Sequence, residues 1–190
     1  MHIKYFGDSY DVVKQSLLKW LQAFGEWSVH PMFTASVPHV KTSAFEALLG
    51  AKVISRSVLT SRTERSAYFA CAHSCGNLFL DPNTGLRLQD IGGTRAPNYL
   101  FASELVQLAE HRPESLTVVF DQSLQRGKEL SGLNKKLRHL LHRKVYTFAY
   151  RSQVCFLIAG WNRKLVTHAR NHIITESKLP ESRFLPVSGA

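Results

Sequence analysis

The sequence is poor in cysteine, in methionine and in negative charge, and it has no long apolar run. Its three thiols, Cys71, Cys75 and Cys155, are an odd number at irregular spacing. That argues against a disulfide framework and for a reducing compartment. No apolar stretch approaches the roughly 18 residues of a membrane helix, and residues 1–11 lack the apolar run of a signal peptide. The expectation is a cytoplasmic protein with no membrane partner. Three chemistry-bearing loops are missing as well: no Walker loop, no GxGxxG and no GxSxG occurs. Cys71-Ala72-His73-Ser74-Cys75 has metal-like spacing, but no second ligand pair follows it. These cysteines read instead as buried beside a strand, and no metal site is expected. His168 and His172 stand four apart without the glutamate that a zinc-protease helix would place between them.

What is abundant is positive charge. The 190 residues carry a net charge of +10. It is uneven: residues 1–95 hold ten Lys/Arg against seven Asp/Glu, and residues 96–190 hold fourteen against seven. An excess of this kind suits a partner rich in phosphates, because each neutralised phosphate releases counterions. The apolar fraction of 44% is ordinary for a globular chain, and the length suffices to bury a core without metal or disulfide staples.

Apolar periodicity predicts helices over residues 12–24 (capped by Asp8 or Ser9), 43–49 (stopped by Gly50), 100–111, 130–143 and 165–177. Strands are expected at 27–33, 52–59, 77–80 and 116–120, with an antiparallel pair at 145–150 and 154–159. The polar stretch 60–66 and the Gly- and Pro-rich stretch 90–98 read as loops. Strands alternating with helices imply one α/β domain, residues 1–190. Its mostly parallel sheet would be covered on both faces, ending in the antiparallel pair.

Four constellations could carry function. In Gly7-Asp8-Ser9-Tyr10-Asp11-Val12-Val13-Lys14, two carboxylates and an ammonium share one helical turn and could hold a cofactor or a cation. Helix capping by Asp8 would explain part of the same pattern. The run Asn77 to Leu80 enters the turn Asp81-Pro82-Asn83-Thr84-Gly85, which sets a carboxylate at the sheet edge; Asn83 and Gly85 would let a ligand approach. Asp121, Gln122 and Arg126 follow the next buried strand and should lie near Asp81. Finally, Arg126, Lys128, Lys135, Lys136, Arg138, Arg143, Lys144 and Arg151 stand against Glu129 alone between 126 and 151. They form the best candidate for a phosphate footprint, or else a solvated helix face. Tyr146, Phe148, Tyr150 and Phe156 read as core packing.

At these residues a resemblance appears. Gly7, Asp8, Asp11, Lys14, Leu17 and Leu18, with Phe79 to Leu86, are similar to the GDxxDFxKYxLL and FLDPDxGL motifs of a family of uncharacterised bacterial proteins. More distantly, Gly7, Asp11, Val12 and Lys14, with Asp81 and Pro82, resemble methyltransferases that modify an adenine amine in large-subunit ribosomal RNA. That likeness implies a Rossmann-like, methyltransferase-like sheet and S-adenosylmethionine as cofactor. Asp11, Lys14 and Pro82 would lie at the cofactor, and Asp81 at the target amine. The sequence departs from it where Val29-His30-Pro31-Met32-Phe33-Thr34 replaces the glycine-rich loop, and where Asn83-Thr84 replaces the base-stacking aromatic.

The leading expectation is therefore a nucleic-acid-directed protein on this fold, with a degenerate cofactor loop. Two alternatives stand beside it. One is a nuclease in which Asp8, Asp11, Asp81 and Asp121 converge on Mg2+. The other is an inactive module that binds nucleic acid or protein.

Overall fold

The computed structural model describes residues 6–189. Helix α1 (Ser9–Leu21) begins at the expected cap: Asp8 Oδ1 accepts from the N–H groups of Tyr10 and Asp11 at 2.9 and 3.1 Å. These are donors that a first turn leaves open. Residues 14, 17, 18 and 21 fall on one stripe and are buried. Strand β1 (Trp27–His30) stops short of the expected 27–33. Pro31 has no N–H to donate, and Met32 turns the chain with a left-handed φ of 51°. Helix α2 (His39–Leu49) starts earlier than expected and ends where it should, with Gly50 at φ 63°.

Strand β2 (Lys52–Val53) is only the start of the expected 52–59. Ile54 N still donates to the Val29 carbonyl, but Arg56 and Ser57 are exposed and the chain leaves the sheet. A short helix, α3 (Arg65–Phe69), follows where a loop was expected; the Glu64 carboxylate caps it. Cys71 is exposed on the next turn and Cys75 half-exposed, so the burial expected of this pair is not found; Cys155 is buried.

The remaining elements are β3 (Asn77–Leu80), β4 (Gly85–Arg87), β5 (Tyr99–Phe101), α4 (Ala102–His111), β6 (Thr117–Asp121), α5 (Glu129–His142), β7 (Tyr146–Arg151), β8 (Cys155–Gly160) and α6 (Arg163–Ser177). Six strands form one sheet in the order β2-β1-β3-β6-β8-β7. The first four run parallel; β8 is antiparallel to both of its neighbours. This is the α/β, Rossmann-like architecture with an antiparallel C-terminal pair that the alternation of elements predicts. The parallel β4–β5 pair is a separate small sheet and was not expected. No helix among the described residues is long and apolar enough to cross a membrane.

Alternation along each strand divides the core in two. Phe79, Val118, Phe120 and Phe156 pack with Leu17 and Phe45 on the α1 side, while Leu80, Val119 and Leu157 pack with Leu105 and Leu133 on the α5 side. The same alternation decides where the residues ending β3 and β6 must point. Asp81 follows Leu80 and faces α1; Asp121 follows Phe120 and faces α5. At the strands' carboxyl edge, β1 leads outward to β2 while β3 leads the other way to β6. Such a switch point opens a crevice in sheets of this type.

Candidate functional site

The acidic and lysine-bearing segments do meet. Lys14 Nζ donates to Asp11 Oδ1 at 2.9 Å and to Asp81 Oδ2 at 3.0 Å, and sits 4.4 Å from the centre of the Phe120 ring. Asp11 Oδ2 accepts from Gly7 N at 2.8 Å. The side chains are 2, 5 and 1% exposed for Asp11, Lys14 and Asp81, so the two carboxylates share one ammonium away from solvent. Burial alone would lower the Lys14 pKa, but the Asp81 and Asp11 charges and hydrogen bonds outweigh it and leave it raised.

Asp121 belongs to a second network on the opposite face. Lys136 Nζ donates to Asp121 Oδ2 and, at 2.6 Å, to Ser123 Oγ, which lies 2.7 Å from Asp121 Oδ1. The four carboxylates expected to converge therefore do not. Asp8 caps α1, Asp11 and Asp81 share Lys14, and Asp121 pairs with Lys136 across the sheet. Among the described residues, no group of three or more His, Cys, Asp or Glu is placed to hold a metal ion. Lys136 is likewise withdrawn from the open basic face, since it is buried in this pair.

Gly85 has a different task from admitting a ligand. Its φ is 130°, and a Cβ there would stand 2.0 Å from Asp121 Oδ1. Glycine lets β4 lie directly over the end of β6. Gln122 N donates to the Thr84 carbonyl at 2.8 Å and fixes that contact. Asn83 is tied by Nδ2 to Thr34 Oγ1 at 2.8 Å and to Asn98 Oδ1 at 3.1 Å, while its Oδ1 has no partner among the described residues.

His30, at the end of β1, was not singled out as a functional candidate. It is fully buried against Tyr68 and Phe69, with ring centroids 4.8 and 5.3 Å away. Neither ring nitrogen has a hydrogen-bond partner of acceptable geometry among the described residues. Burial pulls its pKa down to about 4, so it is neutral at pH 7. A histidine inside an apolar strand carries no local pattern to distinguish it from a packed ring; the crossover that puts α3 on top of it is a tertiary fact.

The remaining cations are on the surface. Arg126, Lys128, Lys135, Arg138, Arg143 and Lys144 are exposed, and Arg151 is half-buried. Lys128, Arg138 and Arg151 frame a cleft of about 540 Å3 at the amino-terminal end of α5. The one acid there, Glu129, is engaged by Gly127 N at 2.9 Å.

The residues where a nucleotide-like cofactor would lie in such a sheet do not fit one. The loop after β1 needs backbone open to a ligand, but Pro31, Met32 and Phe33 are all buried there. No acid follows β2 to meet a ribose hydroxyl: the residues are Ile54, Ser55, Arg56 and Ser57. Asp11 and Lys14, the other residues that would hold such a group, are paired with each other, and Lys14 also with Asp81. The fold defines a Rossmann-like α/β protein with two buried ionic networks at one sheet edge and a basic cleft beside α5. No protein-family model matches the chain, and no curated protein or solved structure gives a significant match.

Proposed function

We propose that the protein binds nucleic acid, holding phosphates on the loop before α5, the exposed face of α5 and the end of β7. It does so on a methyltransferase-like sheet whose cofactor loop is degenerate. The observation that carries this reading is the cleft beside α5 framed by Lys128, Arg138 and Arg151. Three cations border a space that an anion would fill. The likeness of Gly7, Asp11, Val12, Lys14, Asp81 and Pro82 to the ribosomal RNA adenine methyltransferases proposes RNA as the polymer.

Within this reading the two ionic networks are positioning devices. Lys14 bolts α1 to β3, and Lys136 bolts α5 to the end of β6, so that the basic face is presented on a rigid edge. The test is a titration of labelled single-stranded and duplex RNA at several salt concentrations. Binding should weaken steeply with salt. The double charge reversal Lys128→Glu/Arg138→Glu should lower affinity by about tenfold or more and flatten the log–log salt slope by about 1 to 2. An affinity that ignores both salt and the reversal would remove the reading.

A further inference from the structure

A second cleft lies on the other side of α5. The small β4–β5 sheet forms one wall and α5 the other, enclosing about 440 Å3. That falls within the range of small-ligand sites, about 300–1,000 Å3. The wall is rigid: Thr84 N donates to the Asn98 carbonyl at 2.8 Å, and Ser123 Oγ lies 3.2 Å from the Leu86 carbonyl. Gly85 seats the wall on Asp121, as described above.

Two kinds of chemistry line this cleft. Arg87 lies over the Tyr99 ring, its guanidinium carbon 5.4 Å from the ring centre, and both border the cavity. A guanidinium on an aromatic ring is a stacking platform for a planar ring, and every nucleic-acid base has one. Opposite them stand Lys135, Lys136, His139 and Ser123. Lys136 is committed to Asp121 and Ser123, so it holds the floor of the cleft in place rather than meeting a ligand. Partial burial and the nearby Arg143 and His142 lower the His139 pKa, so its ring is neutral at pH 7 and can donate or accept. Lys135 and Arg87 are exposed, and neither forms an ion pair among the described residues.

We infer that this cleft is a nucleotide-binding site. The base stacks against Tyr99 and Arg87, and the phosphate meets Lys135 with His139 behind it. The inference rests on the nucleic-acid reading only in treating the nucleotide as one unit of the bound strand; the cleft's own chemistry asks for a base and a phosphate together.

The test uses adenosine 5′-monophosphate, adenosine and inorganic phosphate as probes of the full chain, followed by calorimetry and by the proton spectrum of the ligand. The monophosphate should bind more tightly than adenosine or phosphate, with its adenine protons shifted upfield by ring stacking. Tyr99→Leu should abolish the upfield shift. Arg87→Ala/Lys135→Ala should weaken the monophosphate about tenfold or more. Lys128→Glu/Arg138→Glu should leave it unchanged. Circular dichroism establishes that the variants fold. Failure of the wild-type chain to bind the monophosphate, or binding indifferent to Arg87, Tyr99 and Lys135, overturns the inference even where RNA still binds. Monophosphate binding without RNA binding would sustain it while removing the phosphate-surface reading.

Discussion

At the scale of single residues, His30 makes the clearest claim. Both ring nitrogens are buried without a well-formed hydrogen bond among the described residues, an arrangement that costs free energy relative to an apolar ring. Its folded pKa of about 4 lies below the ordinary 6.5, so the unfolded chain binds the proton more tightly. Stability from this group is thus present above pH 6.5 and is lost as pH falls from 6.5 towards 4. The loss at the lower end is about 3 kcal/mol, at 1.36 kcal/mol per pH unit. His30→Phe should remove that slope and leave stability at pH 7 unchanged or higher, as read by urea unfolding at pH 4.5 and 7. An acid slope identical in the variant would show that another group governs it. Gly85 is the converse case, a position where any side chain fails. Gly85→Ala places a methyl on Asp121 in a backbone region that L residues avoid, and should cost roughly 2–4 kcal/mol in the same assay.

At the scale of elements, the question is what docks a helix to the sheet. Leu17, Leu18 and Leu21 supply the apolar part for α1, and Lys14 supplies a buried ionic bolt to β3. Lys14→Met strands Asp11 and Asp81 without their cation, which should cost about 3–5 kcal/mol. In a cycle with Asp81→Asn, the two changes should couple by about 1–3 kcal/mol. Additive losses would mean that the pair is incidental. This scale also shows what could be read from the chain. Helices α1, α5 and α6 and strands β3, β6 and β8 were legible because each joins a clear period to a capping or turn signal, as Asp8 does for α1. The short pieces were not. β2 shrinks because Arg56 and Ser57 find solvent more favourable than the sheet edge. The β4–β5 pair forms because Gly85 can sit on Asp121, a contact 36 residues distant in sequence. The meeting of Asp11, Lys14 and Asp81 followed from their places at one sheet edge. Their closure into a buried group did not, since burial is decided by neighbours such as Phe120. Nor did the spacing reveal that Asp81 and Asp121 point apart; that depends on the register of each strand's last residue.

For the whole molecule, two surfaces flank α5 and share it. The amino-terminal cleft offers cations without an aromatic ring, and the β4–β5 cleft offers cations with one. Together they fit a strand that crosses α5 with its backbone on one side and a base on the other. The switch-point edge between β1 and β3, by contrast, is filled by Pro31, Met32 and Phe33. S-adenosylmethionine should therefore produce neither calorimetric heat nor a rise in Tm. Saturable binding at micromolar concentration, worth a Tm rise by mass action, would show that the loop opens to admit the cofactor.

The back-to-back placement of the Lys14 and Lys136 networks has one more consequence. The sheet between them acts as a partition, each buried lysine answering to carboxylates on its own face. The exposed surface of α5 can therefore change while α1 stays fastened.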